Sequence, residues 1–127
     1  MHKPWIDQVT WQNPGEEGTY RRVPEVIDAW RDAGGSGPVY SQLTLCYDAS
    51  ADKARSIARE HWPHAGVPGH LSQALPTPRH FEMASSLVTE DMVAESVLCG
   101  HDPEPVVRGV RSAMDAGVDH VNLHQVG

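Results

Sequence analysis

Eight histidines and two cysteines, Cys46 and Cys99, are the side chains of this 127-residue sequence that first invite a chemical reading. Imidazole and thiolate are common zinc ligands, and zinc sites announce themselves as close pairs with a second pair downstream. His61 and His64 form a His-x2-His, and His120 and His124 a His-x3-His. The second pair falls on a predicted strand, where residues 120, 122 and 124 share one face about 13 Å long at roughly 3.3 Å per residue. One ion does not bridge that length unless the strand bends. The histidines therefore read as ordinary polar residues, and no metal is expected.

Nucleophilic catalysis has no better support. Cys46 has no basic neighbour in sequence, and no Gly-x-Ser-x-Gly turn is present. There is also no Gly-x-Gly-x-x-Gly loop and no phosphate-loop lysine. Both cysteines are expected to be small packing residues. A positional cue is left. If the strands belong to a barrel of parallel strands, chemistry sits at their C-terminal ends, and Asp48 and His124-Gln125 occupy those ends.

The elements that must position these residues follow from period and punctuation. Residues 1–22 carry no sustained period, and Trp5, Trp11 and Tyr20 are spread among Pro4, Pro14, Gly15 and Gly18. A helix is expected from Pro24 through Ala33, with Val26, Ile27 and Trp30 on one face and Gly34-Gly35 as its stop. Val39 to Tyr47 reads as a strand. Ser50 then caps a helix burying Ala54, Ile57 and Ala58, together with His61 or Trp62. Residues 63–76 read as irregular. Thr77 and Thr89 cap two short helices, and Asp102 caps a last one with Pro103 in its first position. That helix carries Val106, Val107, Val110, Ala113 and Met114 as its stripe and closes at Gly117. A second strand, residues 119–126, ends the chain. Two strands joined by a long helical crossover should lie parallel with a right-handed connection. Two are too few for a covered parallel sheet, which points to a piece of a larger α/β fold or to completion by another chain.

Composition narrows the class. Seventeen acidic against ten basic side chains give a formal charge of −7, which repels phosphate backbones and anionic lipid. Nucleic acid and membrane are thus set aside as partners. No apolar run approaches the roughly 20 residues of a spanning helix, and the first residues lack a signal peptide's apolar core. Two cysteines make no disulfide framework, so a cytoplasmic, reducing location is expected.

Five segments carry a further likeness. In order they are Tyr40-Ser-Gln-Leu-Thr-Leu-Cys-Tyr-Asp48, Glu60-His-Trp-Pro63, Leu75-Pro-Thr-Pro-Arg-His-Phe-Glu82, Cys99-Gly-His-Asp-Pro103 and Ala116-Gly-Val-Asp-His-Val-Asn-Leu-His-Gln-Val-Gly127. Together they resemble the C-terminal part of the luciferase-like oxidoreductases that use the deazaflavin coenzyme F420, near the glucose-6-phosphate-dehydrogenase-like branch. The resemblance spans roughly residues 36–127. It implies an α/β fold that is a partial (β/α)8 TIM barrel of about the last two β/α units. Residues 23–127 form that barrel portion, behind the irregular segment 1–22.

The same resemblance implies function. Intact relatives move hydride between the deazaflavin and a small organic substrate, whereas luciferase-like monooxygenases use FMN. His2-Lys3-Pro4-Trp5-Ile6-Asp7 is similar to the family's active-site stretch Asp-His-Phe-x-Pro-Trp, which makes Trp5, with His124 and Gln125, the expected coenzyme contacts. The family's catalytic histidine falls at Met1, and the acid from a later strand has no counterpart, so no catalytic residue is assigned. Its phosphate-holding lysine and arginine fall at Leu71 and Glu95, which cannot neutralise phosphate. The expected protein is a fragment or homologue of such an oxidoreductase, inactive alone. The alternatives are a non-catalytic module that completes a barrel, or an FMN-dependent relative. Open strand edges imply a homodimer or association with another chain.

Overall fold

The structure is a computed structural model that describes residues 17–127, with side chains from Val23 onward. The described chain is mixed α/β. Its elements are α1 (Glu17–Asp32), β1 (Tyr40–Tyr47), α2 (Ala51–His61), a 3-10 turn (Pro63–Gly66), α3 (Gly69–Ser72), α4 (Pro78–Ser85), α5 (Glu90–Ala94), β2 (Leu98–Gly100), α6 (Glu104–Asp115) and β3 (His120–Gln125). Among the described residues the strands form one small parallel sheet in the order β2-β1-β3.

Two compact units divide the chain. One comprises the residues up to Leu43 together with Pro103–His124. Its core is Val23 and Ile27 of α1, Val39, Ala113 of α6 and Val118, with Trp30 and Val121 packed against them. The first turns of β1 and β3 are tied by the Asp119 carboxylate, whose Oδ2 accepts from the Val39 N–H at 2.7 Å. The Asp119 and His120 N–H groups donate in turn to the Val39 carbonyl at 2.9 and 3.1 Å. Further along, the Asn122 amide donates to Gln42 Oε1, and the Tyr40 and His120 rings stack at 4.8 Å. These pairs advance together along both strands, which is the parallel register expected of a crossover connection.

Glycine ends both helices of this unit for the same reason. Gly34 and Gly117 adopt φ of +91° and +102°, conformations that side chains with a Cβ rarely adopt. Each lets the chain fold back so that the helix's last carbonyls are satisfied. The Gly34 N–H bonds the Arg31 carbonyl and the Gly35 N–H that of Trp30. At the other helix, Gly117 bonds Met114 and Val118 bonds Ala113. This is the paired closure of a Schellman motif.

The second unit is Thr44–Asp102 with Gln125–Gly127. Cys46, Ala54, Ala58, Val88, Val93, Val97 and Val126 form its buried core, and Trp62 packs against them. Ser50, Thr77 and Thr89 each accept a backbone N–H three residues on, as their spacing predicts. β1 and β2 pair in parallel, with Leu45 opposite Leu98, Cys46 opposite Cys99 and Tyr47 opposite Gly100.

Several sequence expectations need correcting. α1 begins at Glu17, so Pro24 lies inside the helix rather than opening it. The residues ahead of Pro24 carry no apolar period that would announce the extra turns. β2 was not expected at all, because three residues are too few to show a period. Part of the region expected to be irregular forms the 3-10 turn and α3. Pro103, not Asp102, holds the cap position of α6. The two strands expected to lie side by side and parallel do so as β1 and β3, and β2 adds a third strand on the other edge of β1.

Candidate functional site

The C-terminal ends of β1, β2 and β3 bring polar side chains together within the second unit. β1 runs into Asp48, whose N–H donates to the Gly100 carbonyl at the end of β2 at 3.0 Å. The next loop is short because Ser50 caps α2 at once, accepting from the Lys53 N–H at 3.3 Å. That cap fixes the first turn of α2 and returns Lys53 toward the strand end, where its Nζ lies 3.3 Å from Asp48 Oδ2. Asp48 is 20% exposed and Lys53 66%, so the pair is worth at most about 1 kcal/mol. Its use is orientation rather than stability.

On the other side of β1, Gln125 closes β3 with its side chain instead of its backbone. Its Oε1 accepts from the Tyr47 N–H at 3.1 Å, and its Nε2 donates to the carbonyls of Tyr47 and Val126 at 3.4 and 3.1 Å. Tyr47 is thereby held at its backbone while the residue stays 51% exposed. The strand ends thus carry a half-exposed tyrosine, a carboxylate–ammonium pair and a carboxamide. Such a rim can stack a flat heteroaromatic ring and hydrogen-bond its polar edge.

The two thiols behind this rim are not nucleophiles at neutral pH. Burial raises the Cys46 pKa, and the Asp48 carboxylate adds to the effect. Burial and then Cys46 push Cys99 up to about 11, opposed by Arg55. Among the described residues, no group of three or more His, Cys, Asp or Glu could hold a metal ion. The histidines of the paired spacings find other neighbours, His120 on Tyr40 and His64 against Trp62 at 4.4 Å.

Of the three expected coenzyme contacts, Trp5 lies outside the described residues, as does the whole stretch His2–Asp7. His124 is half-buried at the end of the first unit, and Gln125 is engaged with Tyr47. Leu71 and Glu95 are both exposed and offer no cation. Sequence reasoning missed Lys53 and Gly100 as strand-end residues. The signal for Lys53 was present in Asp48-x-Ser50-x-x-Lys53, a cap that turns a lysine back toward a carboxylate. A shallow, mostly apolar groove of about 410 Å³ lies between Leu75 and Glu82 and shares no residue with the strand ends.

Comparisons with known proteins give two different likenesses. Among solved structures, the chain resembles an F420-dependent secondary alcohol dehydrogenase in complex with an F420–acetone adduct. The TM-score is 0.61 at 21% identity, over 84% of this chain and 34% of that one. At this identity the likeness is one of fold. Among curated proteins, the isoleucine–tRNA ligase of Deinococcus radiodurans is 32% identical over 104 residues, 80% of this chain and 9% of the ligase. The ligases of Cutibacterium acnes and Methanopyrus kandleri match shorter stretches, 58% identical over 33 residues and 51% over 35, each 3% of the ligase. The chain thus spans about a third of the dehydrogenase and under a tenth of the ligases. No family model matches it.

Proposed function

We propose that this chain is a portion of a coenzyme F420-dependent oxidoreductase of the luciferase-like family, lining part of the pocket that receives the deazaflavin and a small organic substrate. The fold likeness carries the reading. It extends over 84% of the chain to a dehydrogenase solved with an F420–acetone adduct, and the ordered segments between Tyr40 and Gly127 resemble the same family. The bound deazaflavin supplies hydride acceptance or donation at its ring.

The chain's own residues bind and orient. Tyr47 offers an exposed ring at the strand end, next in sequence to the Asp48–Lys53 pair, which suits a flat tricyclic heterocycle with a polar edge. Gln125 fixes the Tyr47 backbone, while His124 and Trp5 are proposed to touch the coenzyme in the completed protein. FMN, a ring of similar shape, is the alternative occupant. Leu71 and Glu95 argue against a sugar phosphate and in favour of a neutral organic substrate. Exposed Val107, Met114 and Leu123 support completion of the fold by a second chain or copy, in the cytosol.

A second reading rests on the ligase matches. The longest of those reported extends over 104 residues, 80% of this chain, at 32% identity. Parallel titrations of the chain with coenzyme F420 and with isoleucine-accepting tRNA separate the two activities. Saturable coenzyme binding without tRNA binding supports the oxidoreductase reading. tRNA binding without coenzyme binding overturns it.

A further inference from the structure

Cys46 and Cys99 are far apart in sequence, yet they stand directly opposite each other on adjacent parallel strands. Residues opposite each other in a parallel pair send their side chains to the same face of the sheet. Neighbouring strands lie about 4.8 Å apart, inside the window of roughly 4.4–6.8 Å over which a disulfide joins two Cα atoms. The two residues differ in access. Cys46 is 1% exposed in the core under α2, whereas Cys99 is half-buried. Both are free thiols.

We propose that Cys46 and Cys99 form a cross-strand dithiol that low-molecular-weight disulfides oxidise to an intramolecular bond joining β1 to β2. In the first step the Cys99 thiolate attacks one sulfur of the small disulfide. A Cys99–S–S–R bond forms and one RS⁻ leaves, taking up a proton from solvent. In the second step the Cys46 thiolate attacks Cys99 Sγ, the protein disulfide forms, and the second RS⁻ leaves. Two protein thiols are oxidised and one small disulfide is reduced to two thiols. The order follows from access, since a reagent in solution reaches Cys99 and not Cys46. Because both thiols are protonated at neutral pH, the pair is slow to react there, unlike an exposed low-pKa sensor. The covalent bond would fasten the short strand β2 beside Tyr47 and Asp48.

The test uses the full chain with oxidised glutathione near pH 9 over many hours, since only about 1% of a thiol with pKa near 11 is ionised there. Free thiols are then alkylated, and intact and digested masses are read. The expected product has lost two hydrogens, carries no glutathione and yields one peptide pair linking residues 46 and 99. Cys46→Ser, checked for folding by circular dichroism, is expected to stop at a stable glutathione adduct on Cys99. Cys99→Ser is expected to stay unmodified until denatured. A wild-type chain that keeps glutathione on Cys99, joins Cys99 between two molecules, or stays fully reduced while both thiols react after denaturation would overturn the proposal.

Discussion

The Gln125 carboxamide holds the Tyr47 backbone in both directions, accepting from its N–H at 3.1 Å and donating to its carbonyl at 3.4 Å. A side chain thus does at the end of β3 what a strand ladder does elsewhere. Removing it leaves the Tyr47 groups to water. Gln125→Ala is expected to cost about 1 kcal/mol, read as a lower urea midpoint at unchanged slope. If Gln125 served only a ligand, the midpoint would not move.

Helix ends give a second measurement. At Gly117 any side chain meets a φ of +102°, and a Cβ there would lie 3.3 Å from Ile27 Cδ1. Gly117→Ala is expected to destabilise by about 1–2 kcal/mol. Ser50→Ala, which loses the cap of α2, is expected to cost about 1 kcal/mol. Thermal unfolding of the two variants beside the parent checks both values.

What the sequence made legible was what local chemistry enforces. Gly34 and Gly117 as helix stops and Ser50, Thr77 and Thr89 as caps all act within a few residues of themselves. Asp48 and Gln125 were legible as strand ends for the same reason. What stayed hidden depends on distant partners. β2 is three residues held in place by pairing with Leu45, Cys46 and Tyr47, and nothing in Leu98-Cys99-Gly100 alone demands a strand. The parallel pairing of β3 with β1 follows from the crossover connection, but the Asp119 contact with Val39 that ties them has no local signature. Lys53 joins the site only once α2 has been turned back over Asp48.

Alkaline pH tests the buried thiols. Cys99 moves from an ordinary value of 9.0 to about 11 because burial disfavours its thiolate. The folded chain therefore keeps this proton where the unfolded chain has lost it. Stability is unaffected by this group below about pH 9 and declines as pH rises from 9 toward 11. Cys46 shifts in the same direction. Urea midpoints measured across this range should fall in the parent and fall less in Cys99→Ala. Equal slopes in the two chains would show that the thiol is not buried as described.

Self-association follows from the apolar side chains left in water. Met114 of α6 is 56% exposed and Leu123 of β3 51%, and among the described residues β3 pairs with one strand, β1. The chain is expected to dimerise or form larger species at micromolar concentration. Leu123→Lys should shift sedimentation toward monomer. A clean monomer that unfolds cooperatively before any substitution would contradict this.

Coenzyme binding bears most directly on the proposed function. Coenzyme F420 is titrated into the purified full chain while the deazaflavin absorbance is followed, first alone and then with glucose 6-phosphate or a simple alcohol. A saturable spectral change is expected with no reduction of the coenzyme, since no catalytic histidine or later-strand acid is assigned. Positioned acid–base groups typically contribute about 10²–10⁴-fold to rate. Tyr47→Ala should weaken binding by about tenfold, the equivalent of roughly 1.4 kcal/mol from lost ring stacking. A folded chain that leaves the absorbance unchanged with both F420 and FMN, or whose binding ignores the loss of Tyr47, would contradict a coenzyme-lining role for these strand ends.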